Sequence, residues 1–143
     1  MRIAMENGEA IQFYKNLAVS PAGIPKDARA LESLVSSKSY NFKLLKAAIE
    51  VNARQCSLVV EKLKQSLGSL RGREIALLGL AFKPGTDDVT EAPALDIANL
   101  IVAEGANLRV YDPMAMENAR AVLQNVKYCS NPYKVARGSH ALI

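Results

Sequence analysis

The chain has 143 residues, of which 50% are hydrophobic and 22% are charged. This length favours one domain with an appendage, and the composition excludes disordered and low-complexity classes. Two widely separated cysteines, Cys56 and Cys129, make no disulfide framework, so we expect a reduced, cytoplasmic protein. The sequence has no apolar run of about 18 residues and no signal-peptide core, so neither a membrane partner nor secretion is expected.

The formal net charge of +4 is modest, and the basic residues are spread thinly. Lys62, Lys64, Arg71 and Arg73 could form a basic patch, but a solvated helix end followed by a linker explains them better. No aromatic platform or nucleic-acid motif accompanies them, so no nucleic-acid partner is expected. A small anionic ligand fits the positive surplus equally well.

The strongest periodic signal lies in the first half of the chain. Pro21, Gly23 and Pro25 exclude a continuous helix before it, and a short helix is predicted after Pro25. Apolar residues then recur every three or four positions and predict a helix from about Asn41 to Leu67; the seam comprises Phe42, Leu45, Ile49, Asn52, Cys56, Val59 and Leu63.

A helix of this length is too long for the core of one small domain. We therefore expect it to pack against a second copy, which makes a homodimer through helix 41–67, or to span two lobes. Asn52 interrupts the apolar seam, and it either fixes the register of such a pairing or bonds a neighbouring backbone group.

A linker from Gly68 to Gly72 divides the chain into a helical region, 1–70, and an α/β region, 71–143. Strands are predicted at 74–80, 108–111, 126–128 and 141–143, with helices at 91–104, 113–124 and 131–137 between them. Asp88 or Thr90 is expected to cap the first of these helices, Gly105 to end it, and Asp112 to cap the second at Pro113.

The resulting β-α-β-α-β-α-β order predicts a small Rossmann-like parallel sheet with right-handed crossovers. The fold class is therefore α/β, with the long helix preceding the sheet. Because a short strand ends the sequence, we expect a sheet truncated at the C-terminus and hence a fragment.

Ligands of open parallel sheets bind beyond the carboxyl ends of the strands. The loop from Phe82 to Asp88 follows the first strand there; Lys83 supplies a mobile positive charge, and Gly85 allows close approach of the backbone. These features are compatible with a phosphate site, although a structural turn in which Asp87 and Asp88 cap the helix is the alternative. The loop is neither a Walker loop nor a G-x-G-x-x-G fingerprint.

Other chemistry-bearing residues give weaker signals. His140 is the only histidine, so no His-based triad or metal cluster is expected. Cys56 is expected in the core and Cys129 could be exposed. Lys26 and Asp27 follow a Pro-rich turn, where either a catalytic pair or a helix cap would fit.

Several motifs resemble the UDP-glucose/GDP-mannose dehydrogenase family. GLAFKPGTDD at 79–88, EAPAL at 91–95 and VYDP at 110–113 are similar to the family's C-terminal, nucleotide-sugar-binding domain. IPKDARAL at 24–31 and EVNARQ at 50–55 resemble its central domain, whose long helix forms the dimer. The resemblance covers about residues 20–143. Within the family, EAPALDI and YDPMA look most like the members that oxidise UDP-glucose.

This resemblance implies a portion of a NAD-dependent enzyme that converts UDP-glucose to UDP-glucuronate in two oxidation steps, an activity of polysaccharide biosynthesis. It implies a UDP-sugar as ligand. By position, Asp27 matches the family residue that helps to activate water, and its neighbour Lys26 is a weaker catalytic candidate. Lys83 matches a substrate-contacting lysine, Phe82 matches a residue lining the same pocket, and Gly85 belongs to the same substrate-binding loop.

The chain also departs from the family pattern. Gly23 stands where the family has its nucleophilic cysteine, and glycine has no side chain that could attack an aldehyde. Thr90 stands where arginine is usual, and the 143 residues contain no dinucleotide fingerprint. We therefore expect this chain alone to be inactive and to bind no NAD. The alternatives are a non-catalytic nucleotide-sugar-binding or dimerisation module and a decayed or truncated gene product.

Overall fold

The structure is a computed structural model that describes Ile3–Ala4, Ala10–Ile11 and residues 43–143. Strands β1 (Ile3–Ala4) and β2 (Ala10–Ile11) pair antiparallel. Helix α1 (Lys43–Leu67) confirms the helix predicted from apolar spacing. The helix expected after Pro25 lies outside the described residues.

Strands and helices alternate after α1, as the sequence predicts. They are β3 (Glu74–Leu78), α2 (Pro93–Ala103), β4 (Asn107–Tyr111), α3 (Met116–Val122), β5 (Lys127–Tyr128), α4 (Pro132–Ala136) and β6 (Ala141–Leu142). The α/β fold class is therefore confirmed.

Four of the strands form one parallel sheet in the order β5-β4-β3-β6. The chain runs outward from β3 through β4 to β5 and then returns to the other side of β3 as β6. The direction of winding thus reverses between β3 and β6, and such a reversal opens a crevice at the carboxyl ends of the strands.

Side chains of successive strand residues point to opposite faces of this sheet. Ile75 and Leu77 join a large core with α1, α2 and α3. Ala76 and Leu142 face the other way and pack with Val135 of α4. Each face is covered by helix, which explains why β3 is apolar from Ile75 to Leu78.

The C-terminal half of α1 belongs to this same core. Cys56, Val59 and Val60 are buried among side chains of the sheet and α2, and Lys64 Nζ lies 2.8 Å from Glu104 Oε1 at the end of α2. The sheet and α2 thus bury this half of the seam within the chain, and the pairing of the helix with a second copy stays a prediction.

Two predicted helix caps are wrong. Helix α2 begins at Pro93 after Ala92, which makes no side-chain cap; Asp88 Oδ1 instead accepts a hydrogen bond from the Thr90 N–H at 2.8 Å. The backbone at Glu91 has a φ of 52°, so the chain cannot follow a helical path before Ala92. Thr90 lies in the turn before the helix.

Asp112 likewise caps a turn rather than a helix that starts at Pro113. Its Oδ1 accepts hydrogen bonds from the N–H groups of Met114 and Ala115, both at 2.8 Å, and α3 begins only at Met116. Two other details differ in outcome: Gly105, with a φ of 79°, ends α2 as predicted, whereas Cys129 is buried rather than exposed because it packs under α4.

Candidate functional site

The loop of residues 79–88, called the 79–88 loop below, leaves the carboxyl end of β3 beside β6. Gly79 opens it with a φ of 91° and donates its N–H to the Tyr111 carbonyl at 2.9 Å. The Phe82 N–H donates to the Asp88 carbonyl at 3.0 Å and closes the loop on itself. The loop therefore lies at the crevice where the sheet reverses its winding.

Three residues singled out from the sequence lie together in this loop. Phe82 is half-buried, and the exposed Lys83 places its Nζ 5.0 Å from the centre of the Phe82 ring. Gly85 has a φ of 74°, and nothing lies within 4 Å of the position that a Cβ would occupy. An aromatic wall, a cation and an open glycine thus adjoin one another; their role toward a ligand stays a prediction.

The acidic residues around the loop influence where an anion could bind. The Thr90 hydroxyl and backbone N–H hold the pKa of Asp88 below its usual range, with a smaller effect from Lys83. Asp88 therefore stays ionised at neutral pH, and Asp96 adds another carboxylate in the first turn of α2. An anion would be repelled from the start of α2, so the charges favour the side of the loop that carries Lys83.

Asp87 and Asp88 do not cap α2, contrary to the structural-turn alternative. The Asp88 N–H donates to Thr86 Oγ1 at 3.2 Å, within the loop. Asn118 Nδ2 donates to the Asp87 carbonyl at 2.9 Å, which attaches the loop to α3. The two aspartates therefore shape the turn itself rather than the helix that follows.

Asp112, at the carboxyl end of β4, is the one charged residue buried in the described part of the chain, with 6% of its surface exposed. Its Oδ2 accepts the N–H groups of Leu80 at 2.8 Å and Ala81 at 3.2 Å, while Oδ1 accepts those of Met114 and Ala115. Burial alone would raise the pKa of Asp112, but these four backbone donors lower it below its ordinary value.

Sequence reasoning identified Asp112 as a cap but missed its bonds to Leu80 and Ala81. The only available signal was the topology, because parallel neighbouring strands place Asp112 and the start of the 79–88 loop at the same edge of the sheet.

The remaining candidates from the sequence are Gly23, Lys26, Asp27 and His140. Gly23, Lys26 and Asp27 lie outside the described residues. The exposed His140 lies at the amino edge, where its Nδ1 accepts the Glu74 N–H at 3.0 Å. Among the described residues, no group of three or more acidic, cysteine or histidine side chains could hold a metal ion. No helix in that part of the chain is long and apolar enough to cross a membrane.

Comparison with known proteins gives a consistent set of relatives. Residues 76–143 match the family model described as the UDP-glucose/GDP-mannose dehydrogenase family, UDP binding domain. UDP-glucose 6-dehydrogenase TuaD of Bacillus subtilis is 43% identical over 120 residues, which cover 83% of this chain and 26% of that protein. UDP-glucose 6-dehydrogenase YwqF of the same organism is 42% identical over 134 residues, or 92% of this chain and 30% of that protein. The chain thus spans less than a third of these relatives.

Solved structures agree with the sequence relatives. A UDP-glucose dehydrogenase from Pyrobaculum islandicum superposes with a TM-score of 0.82 and 39% identity, covering 85% of this chain and 28% of that one. A GDP-mannose dehydrogenase from Pseudomonas aeruginosa gives a TM-score of 0.72 and 26% identity, covering 87% and 30% of the respective chains. The similarity extends beyond the sheet, because both coverages exceed the share that residues 76–143 represent.

Proposed function

Because this chain belongs to the UDP-glucose/GDP-mannose dehydrogenase family, we propose that its α/β region is the UDP-sugar-binding part of a NAD-dependent UDP-glucose 6-dehydrogenase. The observation that carries the proposal is the place of the 79–88 loop, at the carboxyl edge where the sheet reverses its winding. We choose UDP-glucose over GDP-mannose because this chain is 43% and 42% identical to two UDP-glucose 6-dehydrogenases but 26% identical to the GDP-mannose dehydrogenase.

Within the loop, each residue has a distinct task in the proposed complex. Lys83 places its charge against a diphosphate or sugar oxygen, since an exposed ammonium can reorient toward an anion. Phe82 walls the pocket, and the centre of its ring lies 5.0 Å from the Lys83 Nζ. Gly85 lets the backbone approach the ligand, because the space beside its Cα is open.

The described residues do not fit NAD. A dinucleotide site needs a G-x-G-x-x-G turn after the first strand of the sheet, whereas the turn after β3 has Gly79 and Gly85 with no glycine between them. The oxygens of Asp112 are also occupied by backbone donors. NAD chemistry belongs to the family, and no hydride-transfer step is assigned to these residues.

We extend the proposal to the two family roles that fall outside the described residues. Asp27 is the water-activating residue, with Lys26 beside it, and Gly23 removes the nucleophile. The 143-residue polypeptide therefore binds a UDP-sugar without oxidising it. Purified protein mixed with UDP-glucose and NAD should give no NADH absorbance above a blank without protein, and measurable NADH would contradict this part of the proposal.

Binding is best tested by titrating UDP, UDP-glucose and GDP-mannose into isotopically labelled protein and following amide shifts. We expect the two uridine nucleotides to move residues of the 79–88 loop with a Kd of about 1 mM, near 4 kcal/mol, and GDP-mannose to bind less tightly. Shifts confined to other parts of the chain, or no shift at tens of millimolar, would refute the site.

A matched pair of variants isolates the charge at the loop. Lys83→Ala should weaken UDP binding at least about tenfold, because a hydrogen bond to a charged group is lost. Lys127→Ala removes the same charge from an exposed position on β5 and should leave the affinity unchanged. Equal losses in both variants would mean that only the net charge matters.

A homodimer through helix 41–67 is the second part of the proposed assembly. Val51 supports it, because this apolar side chain of α1 is 60% exposed in the single chain. Val51→Asp should halve the mass measured by light scattering without unfolding the protein. Val59→Asp would instead unfold the core, since Val59 is buried within its own chain. A monomer in the unsubstituted protein would refute the dimer.

A further inference from the structure

We propose that Asp112 is a positioning residue for the UDP-sugar site: it holds Leu80 and Ala81, near the start of the 79–88 loop, in their binding conformation without touching the ligand. This inference rests on the proposed function. Its basis is the pair of hydrogen bonds from the Leu80 and Ala81 N–H groups to Asp112 Oδ2, at 2.8 and 3.2 Å. These two residues directly precede Phe82 and Lys83.

The backbone hydrogen bonds that Asp112 already accepts show that it positions the loop and does not bind the ligand itself. An ionised carboxylate offers about four lone-pair sites, and four backbone N–H groups donate to Asp112. In dinucleotide-binding folds, an acidic residue downstream of the first strand binds the ribose hydroxyls instead. With its acceptor sites filled and 6% of its surface exposed, Asp112 cannot take that role here.

The geometry also gives Asp112 control over two elements at once. Through Oδ1 it fixes the turn before α3, by way of Met114 and Ala115; through Oδ2 it fixes the loop that follows β3. Asn118 on α3 contacts the same loop at Asp87. A change at Asp112 therefore releases Leu80 and Ala81 while β3 and β4 remain paired.

The first measurement needs no variant. In the unliganded protein, the amides of Leu80 and Ala81 should exchange with solvent much more slowly than those of exposed loop residues, because a buried carboxylate holds them. Exchange of both amides at the rate of an unstructured peptide would overturn the proposal. This measurement remains decisive even if a substitution at Asp112 prevents folding.

The second measurement compares UDP affinity in two variants. Asp112→Asn presents an NH₂ group to one pair of donors, so it should weaken UDP binding about tenfold and speed exchange at Leu80 and Ala81. Asn131 caps α4 by accepting a hydrogen bond from the Lys134 N–H. Asn131→Ala removes this bond and serves as the matched control, in which the affinity for UDP should be unchanged. Unchanged affinity in Asp112→Asn, or an equal loss in both variants, would overturn the proposal.

The third measurement distinguishes positioning from ribose binding. The ratio of the UDP and 2′-deoxy-UDP affinities should be the same in the unsubstituted protein and in Asp112→Asn. A ratio that falls to one in the variant would make Asp112 a ribose ligand and overturn the proposal. If the unsubstituted protein binds no UDP at all, the proposed function fails, and Asp112 then has no ligand to position whatever the exchange rates show.

Discussion

The carboxyl and amino edges of the sheet both join neighbouring strands through polar side chains, but they differ in burial. At the carboxyl edge, Asp112 is 6% exposed and bonds only backbone donors. At the amino edge, Glu74 lies near water and bonds Asn107 at 2.8 Å, while its N–H meets His140. Low local polarity strengthens the first arrangement, and solvent screens the second. The more deeply buried side-chain hydrogen bonds thus lie at the edge where we propose that the ligand binds.

The largest effect should come from removing the buried charge. Asp112→Asn should lower the free energy of unfolding by about 2–3 kcal/mol, because backbone donors lose a charged acceptor and two of them face an NH₂ group. Urea unfolding followed by circular dichroism measures this loss. A smaller loss than in Arg109→Met and Glu74→Gln, the variants of the amino edge described below, would mean that the amino edge contributes more to stability.

Acid should reveal the same carboxylate. Burial raises the pKa of Asp112, but its four backbone hydrogen bonds outweigh this effect and leave the pKa below its ordinary value. A depressed pKa in the folded state stabilises the protein above the unfolded pKa of about 3.9, and this stabilisation is lost as the pH falls through the folded pKa. Asp112→Asn should lack that part of the acid dependence.

Asp88 provides the control for the acid experiment. Its pKa is also lowered, by Thr90, but the side chain is exposed. Asp88→Asn should therefore leave most of the loss of stability on acidification in place. If Asp88→Asn removes more of it than Asp112→Asn, the acid sensitivity comes from the surface of the loop.

Substitution of Arg109 should cause the next largest loss of stability, because this side chain is mostly buried near the amino edge. Its side chain is 13% exposed, and Nη1 donates to the Arg137 carbonyl at 2.7 Å, just after α4. Arg109→Met should cost about 1–2 kcal/mol through loss of a charged hydrogen bond. The guanidinium of Arg120 lies 4.3 Å from the centre of the Tyr128 ring. Arg120→Met is the control and should cost about 0.5–1 kcal/mol.

The smallest effect belongs to Glu74 itself. Glu74→Gln keeps an acceptor for Asn107 and removes only the ion pair of Oε2 with Arg109 Nε, which are 3.4 Å apart. Because Glu74 is 36% exposed, we expect a loss of about 0.5 kcal/mol or less, and less in high salt. Thermal unfolding at two salt concentrations checks this, and a loss above 1 kcal/mol would place strong polar bonding at both edges.

The parts of the fold that depend on local pattern were predictable. β3 is apolar from Ile75 to Leu78, α1 follows a three-and-four spacing, and Gly105 ends α2 with a positive φ. The predicted first residues of α2 and α3 were wrong, because a side chain that accepts a hydrogen bond from a nearby N–H can do so in a turn as well as at a helix cap. Asp88 and Asp112 do so two or three residues ahead, within a turn rather than at the helix itself.

The site was predictable as a loop but not as a bonded arrangement. Phe82, Lys83 and Gly85 are neighbours in sequence, so their proximity follows from the chain. The bonds from Leu80 and Ala81 to Asp112 join residues 32 and 31 positions apart, and only the register of β3 against β4 brings them together. Cys129 was misjudged for a similar reason, because α4 covers it from further along the chain.

The placement of the two cysteines gives the fold a built-in pair of reporters. Cys56 Sγ lies 3.9 Å from the Pro93 carbonyl between α1 and α2, and burial, followed by the charge of Asp96, raises the pKa of its thiol. Cys129 is buried on the opposite face of the sheet, under α4. A thiol reagent therefore labels Cys56 when α1 detaches and Cys129 when α4 detaches, so the order of labelling records which helical layer opens first.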